Sequence, residues 1–202
     1  MNKPDSQRLT AFHDLLIQLQ KVERFTLYPY DTSKRENDVE HSYFLAMAVW
    51  MLAPHFDLDA DKAIKIALTH DLIEVHSGDT FVFGEQANID TKAQRERDAL
   101  DRIKNDWPDF PAMIESIEDY EHKASAEARF VYALDKVMPI IMNILGKGYG
   151  WRKNKITLER FIAEKEAKIA KDSPIYDYYQ EILSMLRENP GYFYQENPSQ
   201  QG

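Results

Sequence analysis

Apolar residues recur at three- and four-residue intervals along most of this 202-residue chain, with no sustained alternation. That spacing predicts helices over roughly 5–22, 38–54, 59–76, 91–105, 108–122, 125–146, 157–171 and 174–187. Punctuation supports several ends. Pro54 should stop or kink the second helix, and Asp59 suits an N-cap for the third. Gly78 suits the left-handed position just past a helix C-terminus, and Ser125 can cap the sixth helix. Strand-like runs are short and ambiguous, Thr80 to Phe83 being one. The pattern predicts an all-α, single-domain helical bundle over residues 1–187, followed by a loose tail over 188–202 that contains Pro190, Gly191 and Pro198.

Composition narrows what such a bundle can do. A chain of this size buries enough surface to need no disulfide staples. It contains no cysteine, which excludes thiolate catalysis and cysteine-ligated metal sites. The formal net charge of −9 argues against a nucleic-acid polymer as partner, because phosphate-backbone binding needs clustered Lys and Arg. A single phosphate needs only a few local cations. The first residues lack a charged-then-apolar leader, and no apolar run approaches the ~18 residues of a membrane span. A cytoplasmic, soluble protein without membrane contact is expected.

Polar residues on apolar faces carry the chemistry. His41 shares a helical stripe with Leu45, Ala48, Val49 and Leu52, so it points to the core. Asp135 interrupts another stripe of Ala128, Val131, Met138 and Met142. A buried carboxylate without a partner costs several kcal/mol, so Asp135 requires one, either a metal ion or an arginine such as Arg129 or Arg24. Pro139 cannot donate to the Asp135 carbonyl, which favours a local kink. The third helix is densest: His70, Asp71 and Glu74 fall at spacings of three and four and can point to one region. Asp79 can reach that region from the following loop. Imidazole with carboxylate suits Mn, Fe, Co, Ni or Zn better than Ca. A second His-Asp doublet, His13-Asp14, has Ile17 where the other has Glu74, and reads as a chance pair.

The segments Glu40-His41-Ser42, His70-Asp71-x-x-Glu74 through Gly78-Asp79, and Ala133-Leu134-Asp135-Lys136 resemble the H…HD…D signature of HD-domain phosphohydrolases. The detail is similar to the HD-domain 5′-deoxynucleotidase branch: Arg24, Glu36-Asn37 before the first His, Glu118 to Glu121, and Ser125-Ala-Glu-Ala. The resemblance covers roughly residues 12–145. It implies one divalent metal held by His41, His70, Asp71 and Asp135. It also implies Glu74 as the proton-transfer residue, with Arg24, Phe25 and Asp79 at the substrate, and a homodimer. Phe25 stands where the branch often has Trp, which opens the choice of sugar. Segment 146–155 has no counterpart in the resemblance.

The expected reaction is removal of phosphate from nucleoside 5′-monophosphates, deoxyribonucleotides foremost, by metal-activated water attacking phosphorus. The alternatives are a non-catalytic metal-binding scaffold and a hydrolase of nucleoside triphosphates or alarmones. Glu74 and Asp79 favour an enzyme, since a purely structural site needs neither. The aromatics Phe25, Tyr28 and Tyr30 offer a nucleobase stack, although core packing is the commoner use. Lys136 should point about 100° around its helix from Asp135. Lys147, Arg152, Lys153 and Lys155 read as a charged loop before they read as a phosphate site, and the Phe161–Lys171 run reads as a solvated helix.

Overall fold

The computed structural model describes residues 4–196 apart from 82, 84, 85 and 170, and the side chains of 86–89 are left aside. The described chain is helical with one small two-stranded sheet. Its elements are α1 (Ser6–Gln20), β1 (Glu23–Leu27), β2 (Arg35–Asn37), α2 (Asp38–Leu52), α3 (Ala60–Thr69) and α4 (Glu74–Ser77), then α5 (Gln86–Asp106), α6 (Pro111–His122), α7 (Ala126–Leu145), α8 (Tyr149–Lys153), α9 (Leu158–Glu166) and α10 (Tyr176–Glu188). The chain forms two compact units. One comprises residues up to Phe25 with Glu36–Val131, and the other comprises Thr26–Arg35 with Tyr132 onward.

In the first unit, local chemistry sets the helix ends. Asp5 accepts from the Arg8 amide, and Asp59 accepts from the Lys62 amide, as expected of an N-cap. Ser125 Oγ accepts from the Ala128 amide and donates to Asp119. α2 begins directly after β2 because Asn37 and Glu40 form a reciprocal capping box. It ends at Leu52, ahead of Pro54, which enters a short 3₁₀ turn over Ala53–Phe56.

The expected third helix is divided. After Thr69 the chain closes with tighter bonds, Leu72 to Thr69 and Glu74 to Asp71, that lead into α4. Leu72 and Ile73 go into a core cluster with Leu15, Leu19, Ile103, Trp107 and Ile117. Burial of the two apolar residues directly after His70-Asp71 therefore fixes the doublet from behind.

The β1–β2 hairpin is absent from the helical reading. Its strands are five and three residues long and carry Glu, Arg and Asn, too short and too polar for a clear period of two. Of the strand-like run Thr80 to Phe83, Thr80 and Phe81 are not in a strand, and Val82 lies outside the described residues.

In the second unit, Trp151, Phe161 and Phe193 form a ring cluster, with Trp151 stacked on Phe193 at 4.5 Å. The loose tail expected from residue 188 is thus ordered through Phe193, whose ring is buried. The Tyr194 amide donates to the Ile156 carbonyl. Residues 197–202 of that expected tail lie outside the described residues. Segment 146–155 has a packing role. Gly148 has φ 72°, and a Cβ there would sit 2.0 Å from the Tyr192 carbonyl oxygen. Arg152 donates to the carbonyls of Lys147 and Gly191, so this cation joins two stretches of backbone.

Candidate metal centre

His41, on the inner face of α2, and His70 and Asp71, at the end of α3, bring their ligand atoms within 4.8 Å of one another. All three residues are buried. His70 Nδ1 lies 2.8 Å from the Ala67 carbonyl. A carbonyl only accepts, so Nδ1 carries a hydrogen and Nε2 is the nitrogen left to face the cluster. That Nε2 is 3.0 Å from Asp71 Oδ2. Two acceptors at this distance require a cation between them, a proton or a metal. The separation also suits two ligands that each bind at about 2.0–2.2 Å. His41 Nδ1 lies 3.5 Å from Glu36 Oε2, which leaves Nε2 for the cluster. At that separation the pair is an ion-pair contact and not a hydrogen bond. The residues fit a divalent metal.

Arg24 on β1 stands next to the cluster. Its Nη1 donates to Asp38 at 3.0 Å and to Asp71 at 2.7 Å, and its Nε lies 3.6 Å from Glu36. The hairpin positions this guanidinium, because Arg24 and Glu36 occupy its two strands. Burial would push the Asp71 carboxyl up, but His70, Arg24 and His41 together hold it below the usual carboxylate range. Asp38 moves the other way, pushed up to about 7 by burial and by Asp71 against the pull of Arg24. Burial, Asp71 and Asp38 also push the Glu74 carboxyl well above its ordinary value. Glu74 Oε2 is buried and, among the described residues, has no hydrogen-bond partner. Asp79 is likewise raised, mainly by burial.

Gly78 determines how Asp79 returns toward this region. Its φ of 70° is positive, as expected, but ψ of 156° takes it out of the left-handed helical region into one that only glycine occupies readily. The Asp79 carboxylate then accepts a hydrogen bond from the Phe25 backbone. Phe25 is partly exposed and stacks on Phe81 with centroids 4.4 Å apart. Tyr30 projects into solvent. The second His-Asp doublet, His13-Asp14, is exposed on α1.

Asp135 belongs to the second unit, on α7, and is buried there. Its carboxylate accepts from Lys136 Nζ at 2.5 Å. The long Lys136 side chain thus bends back to the neighbour from which backbone geometry should separate it. Arg129, one of the expected arginine partners, bonds instead to the carbonyls of Lys123 and Ala124. Two residues near the metal cluster escape a periodicity reading: Glu36 and Asp38. Both are fully buried acids beside a helix start; Glu36 entered the sequence reading only through the resemblance, and Asp38 did not enter it. Arg24, separated by only a dozen residues, was the available signal for buried partners. Among the described residues, no helix is long and apolar enough to cross a membrane.

Residues 16–176 match the HD domain family. A 5′-deoxynucleotidase from Xenopus laevis is 31% identical over 135 residues, covering 66% of this chain and 66% of that protein. One from Mus musculus is 32% identical over 136 residues, covering 66% of this chain and 67% of its own. The matched segment thus spans about two thirds of the length of these relatives. The crystal structure of a predicted metal-dependent phosphohydrolase from Magnetospirillum magnetotacticum superposes with a TM-score of 0.76 at 28% identity. That alignment covers 96% of this chain and 100% of the other.

Proposed function

Because the chain belongs to the HD-domain family, we propose that it is a metal-dependent phosphohydrolase that removes phosphate from nucleoside 5′-monophosphates, deoxyribonucleotides foremost. The observation that carries this reading is the buried His41–His70–Asp71 cluster, with an imidazole nitrogen and a carboxylate oxygen 3.0 Å apart. The relatives named 5′-deoxynucleotidase supply the substrate class. Asp135 is the fourth ligand in this proposal, on the strength of its sequence signature and its buried carboxylate. Mn, Co, Fe, Ni and Zn all suit the donor set. A cytoplasmic homodimer belongs to the same reading.

Charge explains why a metal is needed. Among the described residues, Glu36, Asp38, Asp71, Glu74 and Asp79 lie around Arg24, with Lys92 acting on Asp79, and so acidic a region repels a phosphate dianion unless a divalent cation offsets it. A bound ion would polarise the phosphoryl group and supply a water acidic enough to attack near neutral pH. Glu74 takes the proton from the attacking water and returns it to the leaving oxygen. Its raised affinity for a proton suits both halves of that exchange. Arg24 offers the phosphate hydrogen bonds from one side, and Asp79 accepts from a sugar hydroxyl. Phe25, on its stack with Phe81, bounds the sugar face and leaves the 2′ position less restricted than an indole would.

The test is phosphate release from deoxy- and ribonucleoside 5′-monophosphates with Mn²⁺, Co²⁺, Mg²⁺ or chelator. Release is expected to depend on metal, and Asp71→Ala is expected to lose both metal and activity. Glu74→Gln is expected to keep metal while turnover falls by about 10²–10⁴-fold. Release that survives chelation, or full turnover by Glu74→Gln, would refute this mechanism.

A further inference from the structure

The loop that carries Asp79 is held from α5. Arg95 sits half-buried on that helix. It donates through Nη1 to the Ser77 carbonyl and through Nη2 to Thr80 Oγ1 at 2.9 Å. The two arms of the guanidinium therefore bracket Gly78 and Asp79. We propose that Arg95 is a positioning residue for sugar recognition: it fixes the Ser77–Thr80 loop so that the Asp79 carboxylate meets a hydroxyl of the substrate's sugar. The inference rests on the proposed function, which places Asp79 at the sugar.

Local forces alone do not hold Asp79 in this region. Gly78, with φ 70° and ψ 156°, leaves the backbone before Asp79 at its least restricted. The carboxylate itself is pushed outward, because burial disfavours its charge and Asp71 repels it. Arg24, Lys92 and the Phe25 backbone draw it back. Lys92 lies three residues before Arg95 on α5 and pairs with Glu96, so one face of that helix carries both the attracting charge and the clamp.

A cap for α4 needs less than this. Ser77 ends that helix, and its carbonyl is among the acceptors that a helix end leaves unpaired, so one guanidinium arm there is ordinary. The second arm reaches past Asp79 to Thr80, which lies outside the helix. Ser77 and Gly78 are in turn tied to α4: the Ser77 hydroxyl donates to the Ile73 carbonyl, and the Gly78 amide donates to the Glu74 carbonyl. Arg95 thus sets Asp79 in register with the helix that carries Glu74. In a deoxyribonucleoside 5′-monophosphate the free sugar hydroxyl is the 3′, so a fixed Asp79 reads that group through a charge-assisted hydrogen bond.

Discrimination between substrates, rather than rate, is the readout. With Mn²⁺ bound, wild type should favour 2′-deoxyadenosine 5′-monophosphate over its 2′,3′-dideoxy analogue by about 10–100-fold in kcat/KM. Asp79→Ala and Arg95→Ala should each bring that ratio toward unity. The double variant should go no further than either, because both changes remove the same interaction. An Arg95 with a purely structural role would slow both substrates alike and leave the ratio intact. Thr80→Val should narrow the ratio and Thr80→Ser should keep it, which reads the second arm with Arg95 in place. Amide hydrogen exchange over residues 77–81 should quicken in Arg95→Ala, with α2 unchanged. A wild type indifferent to the 3′-hydroxyl, a full ratio in Arg95→Ala, or unaltered exchange would overturn the proposal. If Arg95→Ala fails to fold, the two Thr80 variants decide. Exchange needs neither substrate nor metal. A wild type that cleaves no nucleotide therefore refutes the hydrolase reading, and exchange alone then decides whether Arg95 holds the loop.

Discussion

Lys165 is a single residue whose environment reverses its sequence reading. The alternating Glu and Lys around it predict a solvated helix, yet its side chain is buried and donates to the Lys136 carbonyl at 2.9 Å. Burial, reinforced by Lys136, lowers its pKa to about 7, against partial compensation from Asp135. In the unfolded chain the amine keeps its ordinary value near 10.5. Below about pH 7 both states are protonated, and the folded state bears the full cost of a buried charge. Between pH 7 and 10.5 the folded amine is neutral while the unfolded one still binds a proton, so stability rises with pH. The ceiling of this effect is about 5 kcal/mol. Lys165→Met is therefore expected to raise the melting temperature most at or below pH 7, with a gain that shrinks toward pH 10. A constant difference across that range would show that Lys165 does not titrate as described. Other residues were more legible. His41 and Asp135 stand out because a polar residue on an apolar stripe contradicts its neighbours, and both are buried. Asp38 and Glu36 sit among polar neighbours, and nothing local distinguishes a buried acid from a solvated one.

At the scale of elements, helix existence followed from periodicity, and ends followed from caps such as Asp59 and Ser125. The departures lie where tertiary contacts override the local pattern. The chain tightens after Thr69 because Leu72 and Ile73 turn into the core, so the His-Asp-x-x-Glu block does not keep ideal helical angles. The hairpin exists to hold Arg24 and Glu36 together, an ion pair invisible to hydrophobic periodicity. Gly148 shows the same dependence on distant residues. Its sequence context is a glycine-rich charged loop, but the Tyr192 backbone occupies the space a side chain would need. Gly148→Ala combines a strained positive φ with that overlap, and a loss of about 3 kcal/mol or more is expected. Urea unfolding of the second unit reads this as a lowered midpoint. An unchanged midpoint would mean that the close approach does not constrain the fold.

For the whole molecule, metal and fold should be linked. Ligands that are brought together only in the folded state make metal binding a source of stability. At a hundredfold excess over its Kd, the ion adds on the order of 3 kcal/mol to the unit that holds it. Calorimetry is expected to show a melting transition that rises with Mn²⁺ or Co²⁺ and falls with chelator, and that no longer responds in Asp71→Ala. Identical melts with and without metal would contradict a site at His41, His70 and Asp71. Sequence by itself determined the helical class and the HD-domain kinship, and it singled out the candidate ligand residues. These are written in short-range periodicity and in the fixed order of rare polar residues. Tertiary structure alone decided which acids lie around Arg24, that Lys165 is buried and that Phe193 is packed. Those outcomes depend on residues far apart in the chain, whose meeting adds no signature to either local segment.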